Sequence, residues 1–348
     1  MYLALRDLRF ARGRFALMGA VIALVSLLVV LLSGLTAGLS AQSVSALDQL
    51  PAARLALATP VDGQQLSFAG SRLSADQLEA WVRAGGADAA PLGVTSARLG
   101  IQENEVAVTA FGAPPGSFLT PRALSDGTAV VSDELARDHH LRVGDRVRLD
   151  GQDLRVAAVR ADSSFNHTPV VWTTLASWRQ LDAAAGAAAT TVALRHDVPA
   201  QVDGTSVTTV RDARAAVGSY TAENGSLTLM RLLLLAISAL VVGAFFTVWT
   251  VQRAPDLAVL KAIGASSAAL VRDALGQSLV VLAVGGGVGT VVAAGTGALA
   301  ERVVPFVVSP ATTVAPFAAL LVVGLVGAAA AVRRITSVDP LTALGAAR

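Results

Sequence analysis

The chain has 348 residues, 53% of hydrophobic type and only 15% charged, with a net charge of +2. A soluble domain is usually about a quarter charged. Much of the chain is therefore expected to face lipid, and no broad polyanion partner, nucleic acid included, is implied. There is no cysteine, which excludes disulfides, CxxC redox chemistry and thiolate metal sites.

The predicted elements follow in chain order. Phe15 to Leu47 carries no charge, and Phe15 to Leu39 is almost wholly apolar. A spanning helix needs about 20 such residues. The alternative, a cleaved secretory signal, has an apolar core of only about 7–15 residues, so an uncleaved helix is expected. Next comes a long polar segment. Within it Ser74 to Ala84 reads as a helix, Gln102 to Phe111 and Thr128 to Ser132 as strands, and Ser132 to His139 as a second helix. Ser132 is a plausible N-cap, with Glu134 in the first turn. Arg146 to Leu149 and Leu154 to Arg160 flank Asp150-Gly151-Gln152-Asp153, a hairpin-turn composition. His139 and His140 are adjacent, so on a helix their side chains diverge and cannot easily share a metal; a solvated helix end is the expected reading. Asn166-His167-Thr168-Pro169 reads as a turn into a strand at 169–172, and the alanine-rich run 183–189 as a helix edge or loop. The segment is therefore α+β.

Three further apolar stretches follow: Leu232 to Val251, Ala274 to Ala300 and Ala315 to Val332. Pro305 and Pro310 make Val303 to Val314 an outer lead-in to the last. Gly285-Gly286-Gly287 lies inside the third stretch, where small residues permit close helix contact. Arginine placement sets the orientation. Arg6, Arg9, Arg12 and Arg14 precede the first span; Arg253, Lys261 and Arg272 lie between the second and third; Arg333, Arg334 and Arg348 follow the fourth. With alternating spans all three groups fall on one side, expected to be the cytoplasm. Both termini are then inside, and residues 40 to about 228 outside. The expected fold class is an integral membrane α-helical protein of four transmembrane helices, with an extracytoplasmic α+β domain between helices 1 and 2. The divisions are 1–50 (cytoplasmic N-terminus and first span), 51–225 (outer domain) and 226–348 (spans 2–4, with a cytoplasmic loop at about 252–273).

No catalytic set stands out: the chain has no GxxxxGK[ST], HExxH or GxSxG. ATP hydrolysis, if it drives the protein, must come from another subunit. The cytoplasmic loop is more informative. Pro255 and Asp256 give a helix start, Leu257, Leu260 and Lys261 share one face, and Gly264 gives a stop. A short docking helix is expected there.

This loop, ending Ala262-Ile263-Gly264-Ala265-Ser266, resembles the coupling segment of MacB/FtsX-type ABC transporter permeases. Gly127 to Leu149 resembles the outer-domain pattern of that family, and Arg334-Ile335-Thr336-Ser337-Val338-Asp339-Pro340-Leu341 its C-terminal tail. Asp256 stands where many members carry glutamate, which keeps the acid but shortens its reach. Within the family, Arg6-Asp7-Leu8-Arg9, His167 to Trp172, Phe246 to Arg253 and Asp273 to Gln277 resemble the HrtB-type haem-exporter permeases of actinobacteria.

The resemblance implies a permease subunit, not an enzyme. It would act as a homodimer with a separate ABC ATPase dimer, with haem as transported substrate and no permanently bound cofactor. The coupling residues would be Asp256, Leu257, Leu260, Lys261 and Gly264. Haem is a flat amphiphile whose iron takes an axial His, Met or Tyr ligand. The candidates are Met230, Tyr220, Arg231 (for a propionate), Glu134 and His167; no other metal site is expected. Each has a plainer reading: Met230 as packing, Tyr220 as an interfacial anchor, Arg231 as a snorkelling side chain, His167 as part of a turn. The alternatives are a lipoprotein- or peptide-type efflux permease and an FtsX-like regulator of a cell-wall hydrolase.

Overall fold

The computed structural model describes residues 12–60, 63–252, 266–301 and 304–336. The expected coupling residues, Asp256 to Gly264, lie outside them. In chain order the elements are α1 (Arg12–Asp48), β1 (Arg54–Ala58), α2 (Ala75–Gly85), β2 (Ala89–Ile101), β3 (Asn104–Ala113), β4 (Thr128–Ser132), α3 (Asp133–Asp138), β5 (Arg146–Leu149), β6 (Gln152–Arg160), β7 (Ser164–Phe165), β8 (Thr168–Thr174), α4 (Leu175–Trp178), β9 (Thr191–Leu194), β10 (Thr205–Thr209), α5 (Val210–Ala213), α6 (Gly218–Gln252), α7 (Ser267–Ala300) and α8 (Pro310–Thr336). The chain divides into a helical unit, Met1–Gly38 with Gly225–Arg348, and an outer unit, Leu39–Asn224.

Four helices, α1, α6, α7 and α8, are long and apolar enough to cross a membrane. Lipid gives no hydrophobic push between helices, so packing depends on close backbone approach. In the helical unit a Cβ on Gly285 would lie 2.8 Å from the Gly19 carbonyl oxygen of α1, and one on Gly289 would lie 2.9 Å from the Ser26 Cβ. Ser26 donates to the Gly286 carbonyl at 2.8 Å and pairs with the Thr290 hydroxyl at 3.0 Å. On its other side α7 meets α8, where Gly286 faces Phe317 and Gly324 faces Leu282. Gly327 of α8 in turn faces Ala239 and Gly243 of α6. The glycine run thus packs through its first two members; Gly287 faces open space. Buried hydroxyls satisfy themselves on the preceding turn, as Ser33 does on Val29 and Ser278 on Ala274, which a dry environment requires.

The outer lead-in to α8 is shorter than expected, because the helix already begins at Pro310. Proline suits a first helical position, where its missing N–H would be unpaired anyway. Ser309 caps the end by accepting from the Thr312 N–H at 3.3 Å.

The outer unit is built on a mixed sheet of order β10-β1-β9-β2-β3-β8-β4-β6-β5, with β7 paired to β8. β3–β8 and β4–β6 are parallel. β5 also pairs with β2, so β2, β3, β8, β4, β6 and β5 close into a ring. Alternate side chains of these strands, among them Leu99, Val108, Val131, Leu149, Val156 and Val171, form one apolar cluster with Trp178. A second cluster gathers Leu47 from the end of α1, Phe111, Phe165, Trp172 and Val217. Helix α2 starts in a capping box between Ser74 and Gln77 and buries Leu78 and Trp81.

The β5–β6 hairpin turns on Asp150 (φ 43°) and Gly151 (φ 89°), the Asp-Gly pair favoured by a turn whose two central residues have positive φ. The histidine pair stands at a helix end, as expected. α3 ends at Asp138, His139 caps it, and His140 is left-handed at φ 55°. The two histidines therefore mark the end of the helix. The turn breaks off there because the Leu141 N–H reaches back to the Ala136 carbonyl at 2.8 Å, a helix-terminating bond.

Candidate functional site

Within the outer unit one cluster joins three elements: the last turns of α1, the β7–β8 turn and the first turns of α6. Phe165 pairs with Thr168 across the turn, leaving Asn166 (φ 51°) and His167 (φ 65°) as its two central residues. Two left-handed residues give the turn the twist that a tight hairpin needs, and Asn and His tolerate that conformation better than most residues. Both turn N–H groups then point at α1: Asn166 N–H donates to the Ser43 carbonyl at 2.9 Å, and His167 N–H to the Gln42 carbonyl at 3.1 Å. Ser45 Oγ accepts from the Ser164 N–H at 2.9 Å.

The His167 side chain extends the interlock to α6. Its Nε2 lies 2.8 Å from Glu223 Oε1 and 3.1 Å from Ser43 Oγ. The Ser219 hydroxyl donates to Ser43 Oγ at 3.4 Å. Ser43 is fully buried, whereas His167 and Glu223 are 30% and 38% exposed. Nearby, Arg214 binds Asp48 at the end of α1 through Nε and a terminal nitrogen, each at 2.8 Å. Gln49 donates to the Asp162 carbonyl at 2.9 Å.

Serine, histidine and glutamate in one cluster suggest a hydrolytic triad, but the geometry opposes it. A triad needs the acid on one ring nitrogen and the hydroxyl on the other. Here both partners meet Nε2, whose one proton cannot serve both well, so Ser43 gains no base. Nδ1 makes no hydrogen bond among the described residues.

The other candidates are spread out. Tyr220, one helical turn before Glu223 on α6, packs its ring against the apolar cluster that holds Phe165 and Val217. Met230 is half exposed, and Arg231 is partly buried. Glu134 stands apart on α3. Its N–H donates to Asp162 Oδ1 at 2.6 Å, and no contact joins it to His167 or Tyr220 among the described residues. Partial burial, and then the charges of Asp162 and Asp138, hold its carboxyl above the usual range, against a smaller opposing pull from Arg137.

Sequence reasoning missed Glu223. The available signal was its isolation, as the only acidic residue between Asp212 and Asp256. Among the described residues no group of three or more His, Cys, Asp or Glu could hold a bare metal ion.

Two family models cover most of the chain. The MacB-like periplasmic core domain matches residues 15–217, and the FtsX-like permease C-terminal matches residues 228–340. The chain belongs to the MacB/FtsX-type ABC transporter permeases. As such it is a membrane protein with an extracytoplasmic domain, and the family implies a partner ATPase subunit. A protein of Staphylococcus haemolyticus provisionally named hemin transport system permease protein HrtB is 26% identical to this permease over 99% of each chain. A permease of the same name from Staphylococcus epidermidis is 24% identical over 99% of each chain. An uncharacterised ABC transporter permease of Mycobacterium tuberculosis is 27% identical, again over 99% of each. Among solved structures, the periplasmic region of MacB from Actinobacillus actinomycetemcomitans is 10% identical at a TM-score of 0.34, covering 47% of this chain and 91% of that one.

Proposed function

We propose that this permease is the membrane subunit of a haem efflux pump. The observation that carries the reading is the pairing of His167 with Glu223 at the start of α6, in a chain similar over its whole length to permeases named for hemin transport. A bare ion needs a cage of ligands, but haem iron brings four nitrogens and needs only one or two axial ligands. His167, through its unoccupied Nδ1, Tyr220 and Met230 are the ligands on offer. Arg231 supplies a guanidinium for a propionate. Glu134 is a further, separate carboxylate.

In this reading haem enters from the membrane between the first two spans. The permease works as a homodimer with an ATPase dimer, both termini in the cytoplasm. ATP-driven closure of the ATPase pushes on the loop at about 252–273, through Asp256, Leu257, Leu260, Lys261 and Gly264. α1 and α6 carry the movement outward, and the haem gap closes. ATP can drive release only if haem binds the two states unequally.

The test is a titration of haem into the detergent-solubilised chain, recording the Soret band, beside Met230→Ala, Tyr220→Phe, His167→Ala and Glu223→Gln. The expected result is a saturable, shifted band that changes in at least one variant. Partitioning equal in every variant and in empty micelles would refute the haem reading. It would redirect attention to a lipoprotein or peptide cargo, or to regulation of a cell-wall hydrolase.

A further inference from the structure

The outer unit contains a cavity of about 410 Å³, within the range of small-molecule sites, roughly 300–1,000 Å³. Its chemistry is one-sided. Trp178, which lines it, lies across the paired glycines Gly93 and Gly112. That indole is 1% exposed, and its Nε1–H is buried with no hydrogen-bond partner among the described residues. Such a donor costs about 1–3 kcal/mol when left unpaired. Arg72, exposed and bonded to the Ala185 carbonyl at 3.1 Å, also lines the cavity. The hydroxyls of Ser67, Thr95 and Ser96 add groups with no hydrogen bond among the described residues. No carboxylate lines the cavity among the described residues. Phe68, Phe165 and Val217 supply apolar walls.

One wall is the alanine-rich run. Ala183, Ala184 and Ala187 line the cavity, and the run is pinned to the chain beside Arg72 by the Leu73–Ala189 bridge and by Ala188 N–H on the Leu73 carbonyl at 2.9 Å. Methyl side chains leave the space open, and any large residue there would fill it. A low-complexity stretch with no evident purpose in the sequence thus has one in the fold.

We infer that this cavity is a binding site for a small anionic amphiphile, distinct from the haem candidates. Arginine can only donate, so the complementary ligand presents acceptors to Arg72. One guanidinium and no opposing acid select a single carboxylate or similar anion, and the apolar walls select a ring or short chain behind it. The cavity also touches Asn166 and Gly218, the turn that grips α1 and the first residue of α6. An occupant therefore bears on the interlock directly.

The experiment uses the full chain in lipid nanodiscs, with naphthoate as the probe and ligand-observed NMR saturation transfer as the readout. The parent is expected to bind naphthoate saturably and better than the uncharged naphthylmethanol. Arg72→Gln, an exposed position, loses about tenfold in affinity, the scale of one charge-assisted hydrogen bond. Ala187→Trp loses binding altogether. Met230→Ala binds as the parent does. If Ala187→Trp fails to fold, Arg72→Gln decides alone. Equal signals in parent, Arg72→Gln and empty nanodiscs overturn the inference. So does a loss of binding in Met230→Ala, which would place the probe at the haem candidates instead.

Discussion

Replacing Gly93 with alanine tests the packing at the centre of the outer domain. The new Cβ would lie 2.6 Å from Trp178 Cε3, and nearer still to Cδ2 and Cε2. Ordinary carbon contacts begin at about 3.5 Å, so the indole must retreat by about 1 Å. The indole is 1% exposed and packed with Leu175 and Leu181, so it can retreat only by disturbing that packing or by shifting into the cavity it lines. The cost lies between overpacking, about 1–3 kcal/mol, and loss of the indole's packing, about 3–5 kcal/mol. A destabilisation of about 2–3 kcal/mol is expected. Gly112→Ala presses on the same ring, with a Cβ 2.6 Å from Cγ. The double variant should therefore cost about 1 kcal/mol less than the sum of the two. Urea unfolding of the solubilised protein, followed by the circular dichroism of the sheet, measures each. The reasoning fails if Gly93→Ala unfolds within about 0.5 kcal/mol of the parent. It also fails if the full cost persists in a Trp178→Leu background, where the clash is gone.

In the helical unit, Gly289→Leu should separate α1 from α7 and break the bonds of Ser26, since even a Cβ there meets Ala23 and Ser26 within 2.9 Å. A loss of about 1–3 kcal/mol is expected as a lower melting temperature in detergent, with Gly287→Ala as the near-neutral control. Glu134 should give a pH signature. Its folded carboxyl is held above the unfolded value, so the folded state binds the proton more tightly and stability falls as pH rises from the unfolded to the folded value. Glu134→Gln should thus be more stable than the parent at neutral pH. The gain is only a few tenths of a kcal/mol, because the group is well solvated, and it should vanish below the ordinary glutamate range. Unfolding midpoints against pH read this directly.

Local signals in the sequence were legible where local physics decided the outcome. The four apolar stretches, the Ser132 cap and the Asp150-Gly151 turn needed only length, capping chemistry and turn residues. The Asn166-His167 turn was legible as a turn, but its purpose was not, because its partners on α1 and α6 are 124 and 56 residues away. Glu223 was passed over for the same reason: an acid at a helix start looks like dipole compensation until its neighbour is known. The closure of the strand ring through β2 and β5 likewise depends on pairings about 50 residues apart, which alternation along one strand cannot reveal. At the histidine pair the expected helix end, His139, falls within one residue of the observed one, where the back-reaching bond of Leu141 stops the turn.

The two-residue β7–β8 turn carries a consequence for how this protein can vary. Hairpin tips usually tolerate insertions, since they face solvent and touch little. Here the tip itself is the fastener. One added residue would move the Asn166 and His167 N–H groups off their carbonyls on α1. A slip of one residue along the pairing would also reverse the faces of β7, bringing Phe165 out from between Phe68 and Phe111, which it meets edge-on at 5.3 and 5.7 Å. The loop is short because its length is a measurement, and a chain of altered length at this point would no longer hold its first helix.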